Sequence, residues 1–469
     1  MKKRIFFNGT TIYFLSSILN SGISFFLLPI LIKFYSVEEY GVYSIIFLTT
    51  TILGGFFYLG SSSAYSRFYF SKRKSYRNSK LLIKVLKLSI YGGLILSLLL
   101  FFLGGDLSIY LFENEKYKSH LFLSGISISL NFIVSIALVD LQFKNKEKLY
   151  LIVSIIGTIL NFATTYFSLT KLKLGIYSPI FGTLISNFTV AFIFILLNLK
   201  LLIRNFKTKI DKEIFLFGLN AAFLGILIYL IDYSDRYVIN NLLSLKEVGI
   251  YSLGYKIGMV VNVLFITPFS LSWAPLRLKY LDDENQLNFT RIIVNLYFYI
   301  SSLLILISVF FSKPIFKILF KNPDYYEAIY IIPLIIYSLL VFGLTNVTNL
   351  GLYVKNKLWI QNIIYFISIL VNVFLNLILV PKFGIKAAAI STLITFLFIT
   401  FFVTKISNKF IYLSFDKKVI CLNILFSGVL LFSIEYSQNL GSIIKLFLIA
   451  GQSYLIVREF KRLEKTSIL

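Results

Sequence analysis

Ionisable side chains are rare within the long apolar segments of this 469-residue chain, and one group of them could do chemistry. Asp232, Asp235 and Arg236 are spaced i, i+3, i+4, which places them on one face of a helix near the end of such a segment. They could gate a cavity or hold a charged ligand, or Asp232 and Arg236 could form a local ion pair. Lys256 lies between one and two turns inside the next apolar segment. It is either a cation that faces a cavity or half of a structural ion pair, for which Asp235 is a candidate partner.

Arg67 and Arg277 occupy matching ends of two further apolar segments. Two arginines that face one cleft could bind a phosphate through bidentate hydrogen bonds. The alternative is that both residues anchor their segments at the cytoplasmic surface. Asp140, near the inner end of another segment, could pair with either arginine.

Asparagines supply most of the uncharged polar groups in the apolar segments. Asn346 and Asn349 share one face of a predicted helix, and Asn372 and Asn376 share a face of the next helix. Their amides suit a water-filled cavity that binds sugar hydroxyls, although hydrogen bonds between helices explain many of them equally well. Other apolar segments contain Asn20, Asn131, Asn161, Asn187, Asn220 and Asn262.

The chain offers few groups for catalysis or for metal binding. Cys421 is its only cysteine and His120 its only histidine, which excludes a disulfide framework, a thiolate metal site and a histidine cluster. The sequence contains no phosphate loop, no dinucleotide-binding glycine pattern and no Ser-His-Asp arrangement. We therefore expect no cofactor, no metal and no enzymatic activity.

These residues belong to a chain with the composition of a membrane protein. Hydrophobic residues make up 58% of it, only 14% are charged, and the mean hydropathy is +0.83. Soluble globular chains contain about 25% charged residues. Because so few charges cannot cover so much apolar surface in water, we predict an all-α integral membrane protein.

Fourteen transmembrane helices are predicted, since each apolar run approaches the roughly 20 residues that a span requires. Basic residues are concentrated in alternate loops by more than two to one, which places both termini in the cytoplasm. The net charge of +25 therefore reflects topology rather than binding to nucleic acid. The last two spans could instead form one re-entrant hairpin. The predicted spans are 10–34, 42–66, 82–104, 120–142, 149–170, 176–202, 214–236, 250–276, 291–313, 328–354, 359–380, 385–408, 418–436 and 438–457.

Sequence matches at nearly one offset indicate an internal duplication. The sequence EYGVYS of residues 39–44 corresponds to EVGIYS at residues 247–252, an offset of 208. Gly175 and Gly384 begin a second match at an offset of 209, and the ends of spans two and eight match at 210. The repeat contains six spans, an even number, so that both copies face the same way across the membrane.

The duplication predicts two pseudo-symmetric six-helix lobes around a central cavity, followed by two C-terminal helices. The lobes comprise residues 1–205 and 206–412, and the helix pair with its cytoplasmic tail comprises residues 413–469. Two lobes that rock against each other would alternate access to the cavity, as in secondary transporters.

Asp235-Arg236, the segment EVGIYSLGYK that ends at Lys256, and residues 39–44 resemble the polysaccharide flippase family. These Wzx-type transporters of O-antigen and oligosaccharide lipids belong to the multidrug/oligosaccharidyl-lipid/polysaccharide exporter superfamily. The resemblance extends over essentially the whole chain, through its fourteen spans, its two lobes and its basic charge.

This resemblance implies a cargo of undecaprenyl-pyrophosphate-linked oligosaccharide, such as an O-antigen or capsule repeat unit. The cargo would move by alternating access from the cytoplasmic face to the outer face of the bacterial inner membrane. By the same analogy, Arg67, Arg277 and Lys256 would hold the pyrophosphate, and the asparagine-rich faces would meet the sugars. The expected partners are membrane lipids, a polysaccharide polymerase and a chain-length regulator, and the protein would be a monomer.

Three alternatives have less support in the sequence. A drug/cation antiporter of the same superfamily would use carboxylates within a lobe, but span one contains no acidic residue. A lipid II flippase would be expected to have an Arg-Asp pair in its first span, which this chain lacks. A membrane glycosyltransferase or polymerase needs a larger domain or loop than the short connections here provide.

Overall fold

The computed structural model is almost entirely α-helical, which confirms the predicted all-α fold. The structure describes residues 2–69, 78–205, 207–279, 286–355, 357–413 and 442–465, together with Asp416, Val419 and Gly428, and no β-strand is present among them. The chain divides into two compact units, Met1–Tyr233 and Ser234–Leu469.

The first unit is built from long apolar helices and two short ones. Within it α4 packs on α5, α5 and α6 both pack on α7, and α1 packs on α6. The helices are α1 (Lys2–Phe34), α2 (Val37–Phe57), α3 (Ser61–Phe68), α4 (Asn78–Phe112), α5 (Lys118–Phe143), α6 (Glu147–Thr170), α7 (Tyr177–Leu197), α8 (Leu199–Arg204) and the start of α9 (Lys212–Leu242).

The second unit contains the end of α9 and a further set of helices. Here α13 packs on α10, α12 and α16, and α17 packs on α12. The helices are α10 (Leu245–Gly258), α11 (Thr267–Lys279), α12 (Gln286–Leu319), α13 (Ala328–Gly343), α14 (Thr345–Thr348), α15 (Leu350–Val354), α16 (Leu358–Ser407) and α17 (Ser442–Lys465). A π-helical segment, Asn262–Ile266, separates α10 from α11.

Eleven helical segments of the described residues are long and apolar enough to cross a membrane. They correspond to twelve of the fourteen predicted spans, because α16 includes two of them. Predicted span 418–436 lies outside the described residues, apart from Val419 and Gly428. The last predicted span overlaps α17, whose apolar stretch is interrupted by Lys445 and ends at Arg458, and which is not among the eleven.

α16 is a helical hairpin rather than one rod of 50 residues. Gly384 interrupts it with φ 65° and ψ −153°. The Asn372 amide nitrogen lies 3.2 Å from the Thr395 hydroxyl, although 23 residues separate them. A straight helix would hold these residues about 34 Å apart at 1.5 Å per residue. The chain therefore reverses at Gly384, as the predicted spans 359–380 and 385–408 require.

The duplicated motifs adopt the same local structure in both copies. Before α2, the Ser36 hydroxyl accepts a hydrogen bond from the Glu39 backbone at 3.1 Å. Before α10, the Ser244 hydroxyl accepts one from the Glu247 backbone at 3.2 Å. These serines are N-caps that satisfy free N–H groups at the start of each helix. The matching glycines also agree, since Gly175 and Gly384 both have positive φ, at 53° and 65°.

Large apolar side chains cover much of the outer surface of the helices. Phe102 on α4, Leu197 on α7 and Ile318 on α12 are 70%, 71% and 76% exposed. In water such a surface would drive aggregation, whereas lipid tails solvate it. The protein is therefore a multi-pass membrane protein.

Candidate functional site

Asp235 and Arg236 at the end of α9 belong to a buried polar cluster in the second unit. Asp235 and Arg236 are only 1% and 3% exposed, and an Arg236 guanidinium nitrogen lies 2.7 Å from the Asp235 carboxylate. The other carboxylate oxygen accepts hydrogen bonds from the Tyr251 and Thr392 hydroxyls. The guanidinium also lies 3.9 Å from the ring centre of Tyr255, in cation–π contact. The Asp235 charge is thus neutralised inside the unit.

Next to this cluster, further hydrogen bonds connect α9 to α16. The Ser234 hydroxyl donates to the Asn372 side-chain oxygen at 3.2 Å, and the Asn376 amide donates to the same oxygen at 3.0 Å. Asn372 and Asn376 are both 0% exposed. In this structure their amides therefore bind protein groups in the interior of the unit, and their predicted contact with sugars remains untested.

Lys256 differs from its neighbours on α10 in being exposed. It lies near the middle of the candidate span Leu245–Trp273. Its possible partner Asp235 is paired with Arg236 instead. Among the residues that the structure describes, Lys256 has no ion pair and no hydrogen-bonded partner.

Arg67 is also exposed, on the short helix α3, and no described residue forms an ion pair with it. Asp140, considered above as its partner, instead accepts a hydrogen bond from the Tyr65 hydroxyl at 2.6 Å and pairs with Lys144 at 2.6 Å. Arg277 belongs to α11, but its side chain lies outside the described residues.

The remaining predicted residues lie at separate places in their units. Asp232 is half-buried on α9. The Asn346 amide donates to the Ser270 hydroxyl of α11 at 2.9 Å. The Asn349 amide instead lies 3.4 Å from the Gln361 side-chain oxygen of α16. These two hydrogen bonds thus lead to side chains on two different helices.

A polar cavity of about 510 Å³ lies within the first unit, between helices α1, α2, α5, α6, α7 and α9. None of its described lining residues is an acid, a lysine, an arginine or a histidine. Thirteen of the lining residues have a hydroxyl or amide side chain without an aromatic ring: Asn20, Ser24, Thr51, Ser124, Ser127, Asn131, Ser135, Ser154, Thr158, Asn161, Thr183, Ser186 and Asn187.

Hydrogen bonds connect several of these groups to one another. The Thr158 hydroxyl donates to the Asn20 side-chain oxygen at 2.9 Å. The Asn187 amide donates to the Ser127 backbone oxygen at 3.0 Å. Asn131 is exposed although it lies in the middle of α5, because its side chain borders the cavity.

Four of these asparagines, Asn20, Asn131, Asn161 and Asn187, were predicted only as single polar residues of their spans. The signal was present on α5, where Ser124, Ser127, Asn131 and Ser135 follow at steps of three and four residues. Such a stripe of polar residues on an otherwise apolar helix marks one face directed away from lipid. No group of three possible metal-ligating His, Cys, Asp or Glu residues occurs in the part of the chain that the structure describes.

Comparison with known families gives one match. The family described as polysaccharide biosynthesis protein matches residues 6–281, more than half of the chain. No curated protein matches the sequence.

Solved structures with the same fold are transporters. The structure titled lipid II flippase MurJ, in an inward closed conformation, has a TM-score of 0.71 and 21% identity, over 99% of this chain and 100% of its own. An inward-facing multidrug resistance transporter of the MATE family has a TM-score of 0.65 and 14% identity, over 88% and 96% of the two chains. A MOP superfamily transporter from Pyrococcus furiosus has a TM-score of 0.60 and 12% identity, over 86% and 95%.

Proposed function

Because the chain belongs to the polysaccharide biosynthesis protein family, we propose that it is a flippase for undecaprenyl-pyrophosphate-linked oligosaccharide. The cargo would pass from the cytoplasmic to the outer face of the bacterial inner membrane, with both termini of the protein in the cytoplasm. The transporter fold supports movement of a substrate across a membrane rather than synthesis of one. The choice of an anionic cargo depends on the charges within the spans.

Lys256 is the observation that carries this proposal. A lysine at the centre of a transmembrane helix costs about 2.5–3.5 kcal/mol on insertion scales, so such residues are retained for a function. Lys256 lies near the middle of its candidate span, is exposed, and has no ion-pair partner among the described residues. Its charge is therefore available to a ligand, and an anionic group such as a pyrophosphate would offset the cost.

The Asp235 cluster supports this role for Lys256. A free carboxylate nearby would neutralise the lysine and would favour a cationic substrate instead. Asp235, however, is 1% exposed and is committed to Arg236 and Tyr251. Among the described residues of the second unit, the pair of Asp235 and Arg236 is thus buried and neutral, whereas the charge of Lys256 is exposed.

Arg67 is proposed as a second contact to the pyrophosphate, and Arg277 as its counterpart in the other repeat. Arg67 is exposed and makes no ion pair in the described part of the chain. A planar guanidinium can bind two phosphate oxygens through a pair of parallel N–H donors, a fixed geometry that a lysine ammonium lacks. We propose that these cations bind the head group while the polyprenyl tail stays in the lipid.

Export of the glycan tests this function directly. In cells that lack the gene, we expect lipid-linked oligosaccharide to stay on the cytoplasmic face, and the wild-type copy should restore its exposure to lectin outside. Lys256→Gln and Arg67→Glu should each reduce this exposure about tenfold or more, since a hydrogen bond to a charged group contributes about 1.5–3 kcal/mol. Lys256→Arg should retain most of it.

Lys171→Gln is the matched control, because Lys171 is exposed and unpaired in the described structure but lies between the candidate spans. This variant should export normally. Normal export by both Lys256→Gln and Arg67→Glu, at wild-type protein levels, would refute the proposed binding of pyrophosphate. Accumulation of lipid II in place of oligosaccharide would identify the protein as a lipid II flippase.

A further inference from the structure

We propose that the polar cavity of the first unit binds an uncharged sugar of the cargo and disfavours acidic sugars such as uronic acids. This inference rests on the proposed function and extends it from the head group to the glycan. It depends on three features of the cavity: free hydrogen-bonding groups, the absence of charge and the presence of aromatic rings.

Several polar groups of the cavity have no protein partner. The hydroxyls of Ser24 and Thr51 make no hydrogen bond among the described residues, nor does the amide nitrogen of Asn161. Ser24 is an exposed residue, the free atoms of Thr51 and Asn161 are not sealed from solvent, and all three residues line the cavity. Lipid tails offer no hydrogen bonds, so groups of this kind at membrane depth require water or a polar ligand.

The position of these groups suits a ligand with many hydroxyls. Ser24 lies on α1, Thr51 on α2 and Asn161 on α6, so that three helices each contribute one free group. A hydroxyl both donates and accepts, as Ser and Thr do, whereas the amide nitrogen of Asn161 only donates. A sugar ring presents hydroxyls in several directions, which suits free groups that lie on three different helices. The volume of about 510 Å³ is within the range of small-molecule sites, about 300–1,000 Å³.

The absence of charge selects against acidic sugars. The described residues that line the cavity include no lysine, arginine or histidine. A uronic acid would therefore lose the hydration of its carboxylate and gain no counter-ion, which is costly in an interior of low dielectric constant. A neutral hexose loses only hydroxyl hydration, which the hydroxyls and amides of the cavity replace.

Aromatic rings complete the site. Phe47, Tyr58 and Tyr229 line the same cavity, and Tyr229 stacks on Tyr233 with ring centres 6.0 Å apart. Aromatic faces pack against apolar C–H surface, which one face of a pyranose ring also presents. The cavity thus combines free hydrogen-bonding groups with an apolar surface.

Binding of simple glycosides to the purified full-length protein in detergent tests this site. The probes are methyl α-glucoside, which is neutral, and methyl α-glucuronide, which is anionic, with saturation-transfer NMR as the readout. We expect saturable binding of the glucoside and at least tenfold weaker binding of the glucuronide. Thr51→Val and Asn161→Leu should each weaken the binding of the glucoside at least threefold.

Thr183→Val is the matched control. Thr183 lines the same cavity, but its hydroxyl already binds the Pro179 and Ile180 carbonyl oxygens of its own helix, at 3.0 and 2.9 Å. This variant should bind the glucoside as the wild type does. The inference would be overturned if the wild type binds both probes equally or binds neither. It would also be overturned if Thr51→Val and Asn161→Leu bind the glucoside as tightly as the wild type.

The two proposals fail separately. The glycoside experiment uses no pyrophosphate and no transport, so a negative result leaves the export assay intact. Conversely, failure of the wild-type copy to restore lectin exposure in cells that lack the gene would remove the flippase function even if the cavity binds the glucoside.

Discussion

The buried pair of Asp235 and Arg236 makes a sharp prediction about stability. Asp235→Asn keeps the size of the side chain but removes the charge that the guanidinium faces at 2.7 Å. Arg236 is only 3% exposed, so water cannot replace the lost partner without a rearrangement. Breaking such a pair costs about 3–5 kcal/mol. Tyr251→Phe removes one hydrogen bond to the carboxylate and should cost less, about 1.5–3 kcal/mol.

Tryptophan fluorescence of the full-length protein during unfolding in SDS provides the assay. The chain has only two tryptophans, and Trp273 is 2% exposed in the second unit, where Asp235 also lies. The loss of its buried environment therefore reports on the unit that contains the substitution. Asp324→Asn is the control, since Asp324 lies in the same unit, is exposed and forms no ion pair with another described residue. It should change stability by less than about 0.5 kcal/mol.

A double variant separates loss of the ion pair from loss of packing. Asp235→Asn combined with Arg236→Met removes both charges, and neutral replacements of buried pairs are often tolerated. We expect the double variant to be more stable than Asp235→Asn alone. The reasoning is refuted if Asp235→Asn costs less than about 1 kcal/mol, or if the double variant is the less stable of the two.

Two further predictions concern the first unit. An added methyl group at Gly92 would lie 1.9 Å from the Phe57 carbonyl oxygen, so Gly92→Ala should destabilise the protein by about 1–3 kcal/mol. Gly225→Ala, with no atom within 4 Å, should leave the midpoint of thermal unfolding unchanged or raise it; an equal effect of both substitutions would contradict the packing. The Lys84 side chain is 6% exposed and forms a salt bridge with Asp211, in the loop before α9, at 2.6 Å. Lys84→Met removes this salt bridge and should make the loop more mobile. Faster tryptic cleavage in that loop would confirm this, and an unchanged digestion pattern would contradict it.

Composition and periodicity determined the class of the protein and most of its helices. A chain that is 58% hydrophobic and 14% charged can be solvated only by lipid, because its apolar surface is too large for water. The backbone must then satisfy its own hydrogen bonds, which restricts the spans to helices or closed barrels, and helices follow from the uninterrupted apolar runs. The repeat could also be predicted, because the helix caps at Ser36 and Ser244 and the positive-φ glycines Gly175 and Gly384 depend on local sequence.

The ion pairs and hydrogen bonds within the spans could not be predicted from the sequence, since they depend on which helices pack against each other. The spacing of Asp232 and Arg236 allowed a local ion pair to be proposed. The pair between Asp235 and Arg236, and its hydrogen bonds from Tyr251 and Thr392, depend on the packing of α9 against α10 and α16.

The cavity of the first unit likewise required the tertiary structure. Asn20, Asn131, Asn161 and Asn187 are on four helices, and the sequence could not show that these helices surround one space. Sequence determines which residues a membrane helix must shield from lipid. Only the packing of the helices decides whether a polar face is shielded by a neighbouring helix, as for Asn372, or borders a cavity, as for Asn161.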